Sequence, residues 1–310
     1  MAEIKSFPCP SSDGIHTLQG VVYLPEGDAK GYFQIAHGMT EHIGRYDRIM
    51  SALTDAGYIC FGYDHLGHGK TVNDKSELGY IAKKRGWELL CKDIGLFSNA
   101  VRAEYDKIYG KELPYFLMGH SMGSFIVRLA CEKFVKPDKL IVMGTGGPNP
   151  ASGAGIALTS IVKLFKGDRH ISQLVYDLAF GGYNTKFKGD ADYSKKSWLS
   201  TDLSIRQKYM EDNYCTFKFT VGAMGDLMKL LKYSNRGAWF KKVPSDVPML
   251  LVAGADDPVG GYGKGVLKVE QKLKKYKKDV KCILYKGARH EILNDFTYDD
   301  VKNDILKFIG

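Results

Sequence analysis

Residues 119–123 read Gly-His-Ser-Met-Gly, which places Ser121 between two glycines. An apolar run at Tyr115–Met118 precedes this G-x-S-x-G sequence, and a helical pattern starts at Met122. A strand, a sharp turn and a helix in this order expose a serine hydroxyl that can attack a carbonyl carbon. The two glycines remove side chains that would clash in so tight a turn. The backbone N–H of Met122 and the helix dipole would then stabilise an oxyanion.

A nucleophilic serine needs a base, and His290 is the best placed of the eight histidines because it follows the last predicted strand. A carboxylate must orient that histidine and stabilise its charged form. Asp256 and Asp257 both follow an earlier strand, directly after Gly254 and Ala255. The order serine, aspartate, histidine, with all three at strand ends, predicts a catalytic triad whose acid is one of these two aspartates.

The elements that must position these residues alternate between short β-rich apolar runs and helical patterns. This alternation predicts an α/β fold with a mostly parallel sheet of eight strands and helices on both faces. The strands are expected at Lys5–Pro8, Leu18–Leu24, Tyr32–Ala36, Tyr58–Tyr63, Tyr115–Met118, Leu140–Met143, Pro248–Ala253 and Lys281–Tyr285. Helices are expected at Arg45–Ala56, Trp87–Ile108 and Tyr298–Phe308.

The alternation stops between residues 146 and 243. Helical patterns cover Ile156–Phe165, Ile171–Phe180, Leu203–Met210 and Phe217–Tyr233 in this stretch. Helices inserted between two strands are expected to cover the C-terminal edge of the sheet, where ligands bind in open α/β sheets. The sequence therefore predicts a core domain of residues 1–145 and 244–310 and a helical cap, or lid, of residues 146–243.

Taken together, these motifs resemble those of the α/β-hydrolase superfamily, and within it the branch of monoacylglycerol lipases, lysophospholipases and serine aminopeptidases of the S33 type. The resemblance covers nearly the whole chain except the cap, which is more similar to bacterial members than to the animal lipase. The motifs that carry it are His-Gly-Met-Thr-Glu-His-Ile-Gly-Arg-Tyr at 37–46, Asp-His-Leu-Gly-His-Gly-Lys at 64–70, the G-x-S-x-G sequence, Gly-Ala-Asp-Asp-Pro-Val at 254–259 and Gly-Ala-Arg-His at 287–290.

This resemblance implies an α/β-hydrolase fold in which the backbone N–H of Met39 forms one half of the oxyanion hole and that of Met122 the other. It also implies that the triad acid is the third residue after Gly254, which is Asp257. The identity of Pro258 agrees, because proline stiffens the backbone behind the orienting carboxylate.

The implied reaction is hydrolysis of a carboxylic ester through an acyl-enzyme, without a metal or an organic cofactor. The expected partner is a small acyl ester, with a monoacylglycerol or a lysophospholipid favoured. The alternative is an aminopeptidase that cleaves a peptide amide. Such an enzyme needs acids to hold a substrate ammonium, and the cap offers Asp177, Asp190, Asp192, Asp202, Glu211 and Asp212.

Four residues outside the triad are candidates for substrate binding. Glu41 and Arg45 have the spacing of a helical ion pair, so they form either a structural pair or a polar wall for a head-group hydroxyl. Leu164 and Phe165 belong to an apolar run at 156–166, which has more apolar surface than one buried stripe needs. That run either packs in the core of the cap or forms a lipid-facing entrance.

Composition and targeting signals favour a cytoplasmic globular protein. Of 310 residues, 44% are hydrophobic and 25% charged, which excludes a disordered chain or a coiled coil. The sequence shows neither a signal peptide nor an apolar run of the ~18 residues that a transmembrane helix requires. The six cysteines lie far apart, which predicts reduced thiols rather than a disulfide framework or a zinc site. His65 and His68 have no third ligand nearby and are expected in a loop beneath the active site rather than at a metal.

Much of the net charge of +9 lies in residues 264–281, which contain eight lysines and only two acidic residues, Glu270 and Asp279. Apolar residues at helical spacing in the same segment predict an amphipathic surface helix with a solvated lysine face. Transient contact with an anionic membrane surface is the alternative. Because no nucleic-acid-binding motif accompanies the lysines, no nucleic acid partner is expected. The sequence leaves the oligomeric state open.

Overall fold

One eight-stranded sheet runs through the computed structural model, which describes residues 3–110 and 112–310. Its strands are β1 (Glu3–Pro10), β2 (Thr17–Leu24), β3 (Gly31–Ala36), β4 (Tyr58–Tyr63), β5 (Tyr115–His120), β6 (Lys139–Met143), β7 (Met249–Gly254) and β8 (Val280–Tyr285). They are ordered β1-β2-β4-β3-β5-β6-β7-β8. The pairs β1–β2 and β2–β4 are antiparallel, and every pair from β4 to β8 is parallel. The predicted mostly parallel sheet is therefore confirmed.

Helices cover both faces of this sheet. They are α1 (Asp47–Asp55), α2 (Gly86–Tyr109), α3 (Met122–Lys133), α4 (Ala151–Lys166), α5 (Gln173–Phe180), α6 (Leu203–Glu211), α7 (Val221–Ser234), α8 (Gly237–Lys242), α9 (Lys264–Lys275) and α10 (Tyr298–Ile309). Adjacent residues on a strand point to opposite faces. On β3, Tyr32 accordingly packs with α2 and α3, whereas Phe33 packs with α1 and α10. Strands β3, β4, β5 and β7 are buried along their whole length, and their sequences are accordingly mostly apolar rather than alternating.

Several helix boundaries differ from the sequence prediction. Helix α1 begins at Asp47 rather than Arg45, because Ile43–Tyr46 form a 3₁₀ turn. Helix α4 begins at Ala151, before the apolar run that signals it. Residues 217–220 are not helical, since Thr220 caps α7 by accepting the N–H of Ala223. The lysine-rich helix α9 ends at Lys275.

Between β6 and β7 runs the inserted segment, residues 146–243, which contains α4 to α8. The C-terminal part of this segment packs on helices that cover the sheet, because α7 lies against α2 and α3. Arg128 of α3 is fully buried, donates to the backbone carbonyl of Ser234 and lies 4.3 Å from the ring centroid of Trp239. Helix α8, which carries Trp239, escaped prediction because its six residues are too short to show a period. The division into core and cap domains stays a prediction.

Candidate active site

Ser121 occupies the turn between β5 and α3 with φ +53° and ψ −117°. A positive φ is strained for a residue with a Cβ atom and is held only where the surroundings enforce it. A Cβ on Gly119 would lie 2.3 Å from the carbonyl oxygen of Gly123. A Cβ on Gly123 would lie 2.1 Å from the carbonyl oxygen of Ala36. These contacts confirm the predicted reason for a glycine on each side of the serine.

His290 and Asp257 form a buried pair at the same edge of the sheet. His290 Nδ1 lies 2.9 Å from Asp257 Oδ2, and both side chains are nearly inaccessible to solvent. The other carboxylate oxygen of Asp257 accepts the backbone N–H of Val259 at 2.8 Å. Donation from Nδ1 to this carboxylate leaves Nε2 of the imidazole as a proton acceptor. The arrangement is that of a histidine base oriented by an acid.

Asp256, the neighbouring aspartate, pairs with a lysine rather than with His290. Its Oδ1 pairs with Nζ of Lys186 in the inserted segment at 2.5 Å, and about a third of its side chain is exposed. Of the two aspartates left open by the residue pattern, the structure therefore brings Asp257 to His290 and turns Asp256 towards the surface.

The loop that carries His290 is hydrogen-bonded to the inserted segment. The backbone N–H of His290 donates to the carbonyl of Trp198 at 3.4 Å, and that of Glu291 donates to the carbonyl of Leu199 at 2.7 Å. Arg289 donates to the carbonyl of Ser197 at 2.7 Å. These contacts fasten residues 289–291 to residues 197–199.

The imidazole of His290 lies close to two other rings. The centroid of Trp198 is 5.1 Å from that of His290, and the centroid of His120 is 4.8 Å from it. The position of Trp198 could not be predicted, because it depends on the path of a long loop in the inserted segment. Its only signal in the sequence is a tryptophan in an otherwise polar stretch.

The loop after β3 passes directly over Ser121. A Cβ on Gly38 would lie 2.5 Å from Glu41 Oε1 and 3.1 Å from the Cβ of Ser121, so glycine at this position allows the close approach. Met39 follows Gly38 in this loop, and Met122 follows Ser121 as the first residue of α3. Within residues 3–110 and 112–310, no protein acceptor takes the backbone N–H of Met39 or of Met122. Unpartnered N–H groups beside a nucleophile are suited to bind a negatively charged oxygen.

Arg45 connects two carboxylates beneath the site. Its guanidinium donates to Glu41 at 2.8 Å and makes a bidentate pair with Glu291 at 2.7 Å to each oxygen. Glu41 also accepts the Tyr46 hydroxyl at 2.8 Å, and it is buried. These internal contacts support the structural ion pair rather than a polar wall facing substrate. Glu291 was not predicted, although it directly follows His290 in the sequence.

His120 pairs with Glu41 under the nucleophile turn. Its Nδ1 lies 3.2 Å from Glu41 Oε1 and 2.9 Å from the Tyr46 hydroxyl. Burial lowers the pKa of His120, but the hydrogen bond and the charge of Glu41 raise it more, so the net pKa is above the ordinary value. Burial likewise raises the pKa of Glu41, and His120 and Arg45 together hold it well below its usual range. The pair is therefore suited to carry charge in a buried position.

Three further histidines, His37, His65 and His68, form what we call the histidine cluster. His37 Nε2 accepts the backbone N–H of His65 at 3.0 Å, and His68 Nε2 accepts that of Thr40 at 3.3 Å. Burial lowers the pKa of all three rings, to about 3 for His65 and about 4 for His68. Neutral rings that accept backbone N–H groups brace the loop that carries Met39.

Comparison with known proteins identifies the family. The sequence profile of the serine aminopeptidase S33 family matches residues 27–297. The chain belongs to this family. It is also similar to monoacylglycerol lipase of Mycolicibacterium smegmatis, with 24% identity over 93% of this chain and 91% of that protein. The carboxyl esterase of Bacillus coagulans, solved in complex with glycerol, has a TM-score of 0.87 and 28% identity, covering 99% of this chain and 97% of that chain.

Monoglyceride lipase of Rattus norvegicus is 32% identical over 35% of this chain and 32% of its own length. The chain thus matches only about a third of the length of this mammalian relative. The S33-family protein is accordingly a monoacylglycerol lipase-like member of the α/β-hydrolases, and the predicted family and fold are confirmed.

Leu164 and Phe165 of this S33-family protein do not pack in the interior of the inserted segment. Their exposed fractions are 79% and 77%. The buried side of α4 carries Thr159, which meets Gly225 of α7 so closely that a Cβ on Gly225 would lie 3.0 Å from the threonine hydroxyl. The expectation that the run packs in the core of the cap is wrong for Leu164 and Phe165, although Leu158 of the same run does pack against the core. The lipid-facing entrance stays a prediction.

The large apolar side chains of α5 share this exposure, with Leu174 at 58% and Leu178 at 69%. None of the helices within residues 3–110 and 112–310 combines the length and apolar character needed to span a bilayer.

Proposed function

We propose that this S33-family protein hydrolyses carboxylic esters through an acyl-enzyme formed on Ser121. The observation that carries the proposal is the buried His290–Asp257 pair at the sheet edge where Ser121 is held in a strained turn. A histidine oriented in this way activates a serine hydroxyl that is otherwise a weak nucleophile.

In the proposed reaction, Ser121 Oγ attacks the ester carbonyl carbon while His290 Nε2 takes the hydroxyl proton. The backbone N–H groups of Met39 and Met122 donate to the oxyanion that forms on the carbonyl oxygen. His290, stabilised as an imidazolium by Asp257, returns the proton to the departing alcohol as the carbon–oxygen bond breaks. His290 then takes a proton from water, whose oxygen attacks the acyl-enzyme, and it returns this proton to Ser121 Oγ as the serine–acyl bond breaks and the carboxylic acid leaves. This cycle uses side chains and backbone only.

The favoured substrate is a long-chain or medium-chain monoacylglycerol or lysophospholipid. Two observations support it: the relative from Mycolicibacterium smegmatis is a monoacylglycerol lipase, and α4 and α5 expose large apolar side chains, which on α4 lie next to Lys163 and Lys166. An exposed apolar patch with basic residues is suited to transient contact with a lipid surface, from which an acyl chain could reach the site.

An aminopeptidase is supported less well, because the acids that could hold a substrate ammonium already have protein partners. Asp190 pairs with Arg289, Asp192 with Arg206 and Asp212 with His42. Asp177 accepts from Gln173, Glu211 from Gln207, and Asp202 caps α6. Glu41, which pairs with His120, and Glu291, which follows His290, both bind Arg45.

A cytoplasmic location is part of the proposal. All six cysteines are free thiols, and five of them are buried. Free thiols in this number are typical of a reducing compartment.

The test uses a panel of acyl esters from short to long chains, a monoacylglycerol and a proline p-nitroanilide. Ser121→Ala should retain the fold and lose ester hydrolysis by several orders of magnitude. Ser160→Ala, a change on the exposed face of α4, is the matched control and should retain activity. A fluorophosphonate probe should label the wild type and Ser160→Ala but not Ser121→Ala. Unchanged kcat in folded Ser121→Ala would overturn the proposal, and turnover of the anilide in preference to the esters would favour the aminopeptidase.

A further inference from the structure

Three side chains with metal-binding atoms meet where the inserted segment contacts the loop after β3. They are His42 from that loop and Asp212 and Cys215 from the connection between α6 and α7. One nitrogen, one oxygen and one sulfur atom from these residues all lie within 4.8 Å of one another. His42 Nε2 is 2.9 Å from Asp212 Oδ2. None of the three takes part in the reaction proposed above.

The backbone holds the two ligands of the inserted segment in place. Asp212 and Cys215 lie in one turn, closed by the N–H of Cys215 donating to the carbonyl of Asp212 at 2.9 Å. The carboxylate oxygen Oδ1 of Asp212 accepts the N–H of Tyr214 at 2.7 Å. Its Oδ2 therefore remains directed at His42. This preorganisation lowers the entropy that a bound ion would have to remove.

We propose that His42, Asp212 and Cys215 form a site for a divalent transition-metal ion, most naturally Zn²⁺. Zinc binds imidazole nitrogen, carboxylate oxygen and thiolate sulfur in tetrahedral geometry. Ligand atoms around zinc lie about 3.5 Å apart, so the 2.9 Å between His42 Nε2 and Asp212 Oδ2 would lengthen by roughly 0.5 Å, and separations of up to 4.8 Å would shorten by roughly 1 Å, as the ion binds. The thiol proton leaves to solvent as the sulfur–metal bond forms. Three protein ligands leave the fourth position to water.

The surroundings of the site allow a cation to enter. The His42 and Asp212 side chains are 23% and 31% exposed, whereas Cys215 is buried beneath them, so the ion would approach from the solvent side. Two cations lie behind the site: Arg45, which is paired with Glu41 and Glu291, and Lys196, which also lies near Glu291 and Cys215. The two carboxylates balance these two cations, so the region has no excess positive charge that would repel the ion.

A bound ion would cross-link the loop after β3 to the inserted segment. The same junction already has a hydrogen bond of 2.9 Å from the Tyr209 hydroxyl to the carbonyl of Thr40. Because an ion that binds only the folded state stabilises it, the melting temperature should rise by roughly 5 °C at a metal concentration 100-fold above the Kd. The proposal stands apart from ester hydrolysis, which requires no metal here.

The experiment titrates the metal-free full-length protein with Co²⁺, which reports thiolate coordination by an intense near-ultraviolet charge-transfer band, and then competes it with Zn²⁺. We expect one ion per chain, loss of the band on addition of Zn²⁺, and the rise in melting temperature with either ion. Cys215→Ser should abolish the band, and Asp212→Asn and His42→Gln should each weaken binding at least tenfold. Cys282→Ser, which removes a half-buried thiol on β8, is the matched control and should bind as the wild type does.

Absence of the band in the wild type would overturn the proposal. So would loss of the band in Cys282→Ser, or affinity unchanged in both Asp212→Asn and His42→Gln, because the sulfur alone would then hold the ion. If Cys215→Ser does not fold, the Asp212→Asn and His42→Gln titrations decide the question. Fluorophosphonate labelling of Ser121 in the same samples reports the proposed esterase site separately from the metal site.

Discussion

Replacement of Asp257 by asparagine tests the proposed acid with one atom changed. In the structure, Oδ1 of Asp257 accepts the Val259 N–H at 2.8 Å, and Oδ2 faces Nδ1 of His290 at 2.9 Å. An asparagine keeps its carbonyl oxygen towards the Val259 N–H, because the opposite orientation would bring two N–H groups together. Its NH₂ group must then face Nδ1 and donate to it. The imidazole proton is thereby forced onto Nε2, the atom that has to accept the serine proton.

From this geometry we expect kcat for a short-chain ester to fall by about 10⁴-fold, which corresponds to an increase of about 5 kcal/mol in the activation free energy. KM should change little, since the carboxylate is buried behind the histidine and does not face the ester. Asp256→Asn is the matched control, with the same chemical change at the adjacent residue. Its carboxylate pairs with Lys186 at the surface, so the loss should stay under about tenfold.

The assay is steady-state hydrolysis of a p-nitrophenyl ester by both variants, with circular dichroism to verify the fold. The ¹⁵N chemical shifts of His290 supply a second measurement, because they distinguish a proton on Nδ1 from one on Nε2. A larger loss in Asp256→Asn than in Asp257→Asn would refute the assignment. An Nδ1-protonated ring in an inactive Asp257→Asn variant would refute the tautomer argument.

Three other perturbations follow from the structure. Changing Leu164 and Phe165 together to alanine should raise KM for long acyl esters more than for acetate esters, because long chains lose more apolar contact; an equal effect on both would remove these side chains from the substrate path. Glu291→Gln breaks a buried bidentate ion pair and should lower the free energy of unfolding by about 3–5 kcal/mol, measured by urea denaturation, and a loss below 1 kcal/mol would contradict the assigned role. Acid should destabilise the protein, because the rings of the histidine cluster have lowered pKa values when folded and bind protons near pH 6.5 when unfolded. Each ring should remove about 1.4 kcal/mol between pH 7.5 and 5.5. His16 and His120 have raised pKa values in the folded protein and offset part of this loss. The free energy of unfolding should therefore show a net fall of at least about 1 kcal/mol between pH 7.5 and 5.5. A rise in the free energy of unfolding towards pH 5.5 would contradict this prediction.

The sequence was sufficient for the parts of the site that strand ends determine. Ser121 and His290 follow β5 and β8, and parallel strands bring their C-terminal ends to one edge, so a correct reading of the strands predicts both at that edge. The strands alone left Asp256 and Asp257 as candidate acids after β7, and the family resemblance indicated Asp257. Contacts made by loops could not be predicted from the sequence in this way. Arg45 and Glu291 are 246 residues apart, and nothing local in either stretch signals that they meet.

The packing of the inserted segment could not be predicted from the sequence either. Apolar periodicity located its helices but could not say which face is buried, because small residues such as Thr159 and Gly225 mediate the close packing of α4 on α7. The large residues Leu164 and Phe165, which hydrophobicity alone would place inside, lie outside instead.

The hydrogen bonds that fasten residues 289–291 to residues 197–199 restrict how the inserted segment can move. If the whole segment swung away as one rigid body, it would pull on the backbone of His290 and displace the base from Asp257. Residues 197–199 must therefore behave as part of the stationary frame, and so must α7, which is clamped against α2 and α3. Helix α4 belongs to the same frame, because its Thr159 meets Gly225 of α7 closely. A substrate path that keeps the triad assembled therefore has to leave residues 197–199, α4 and α7 in place.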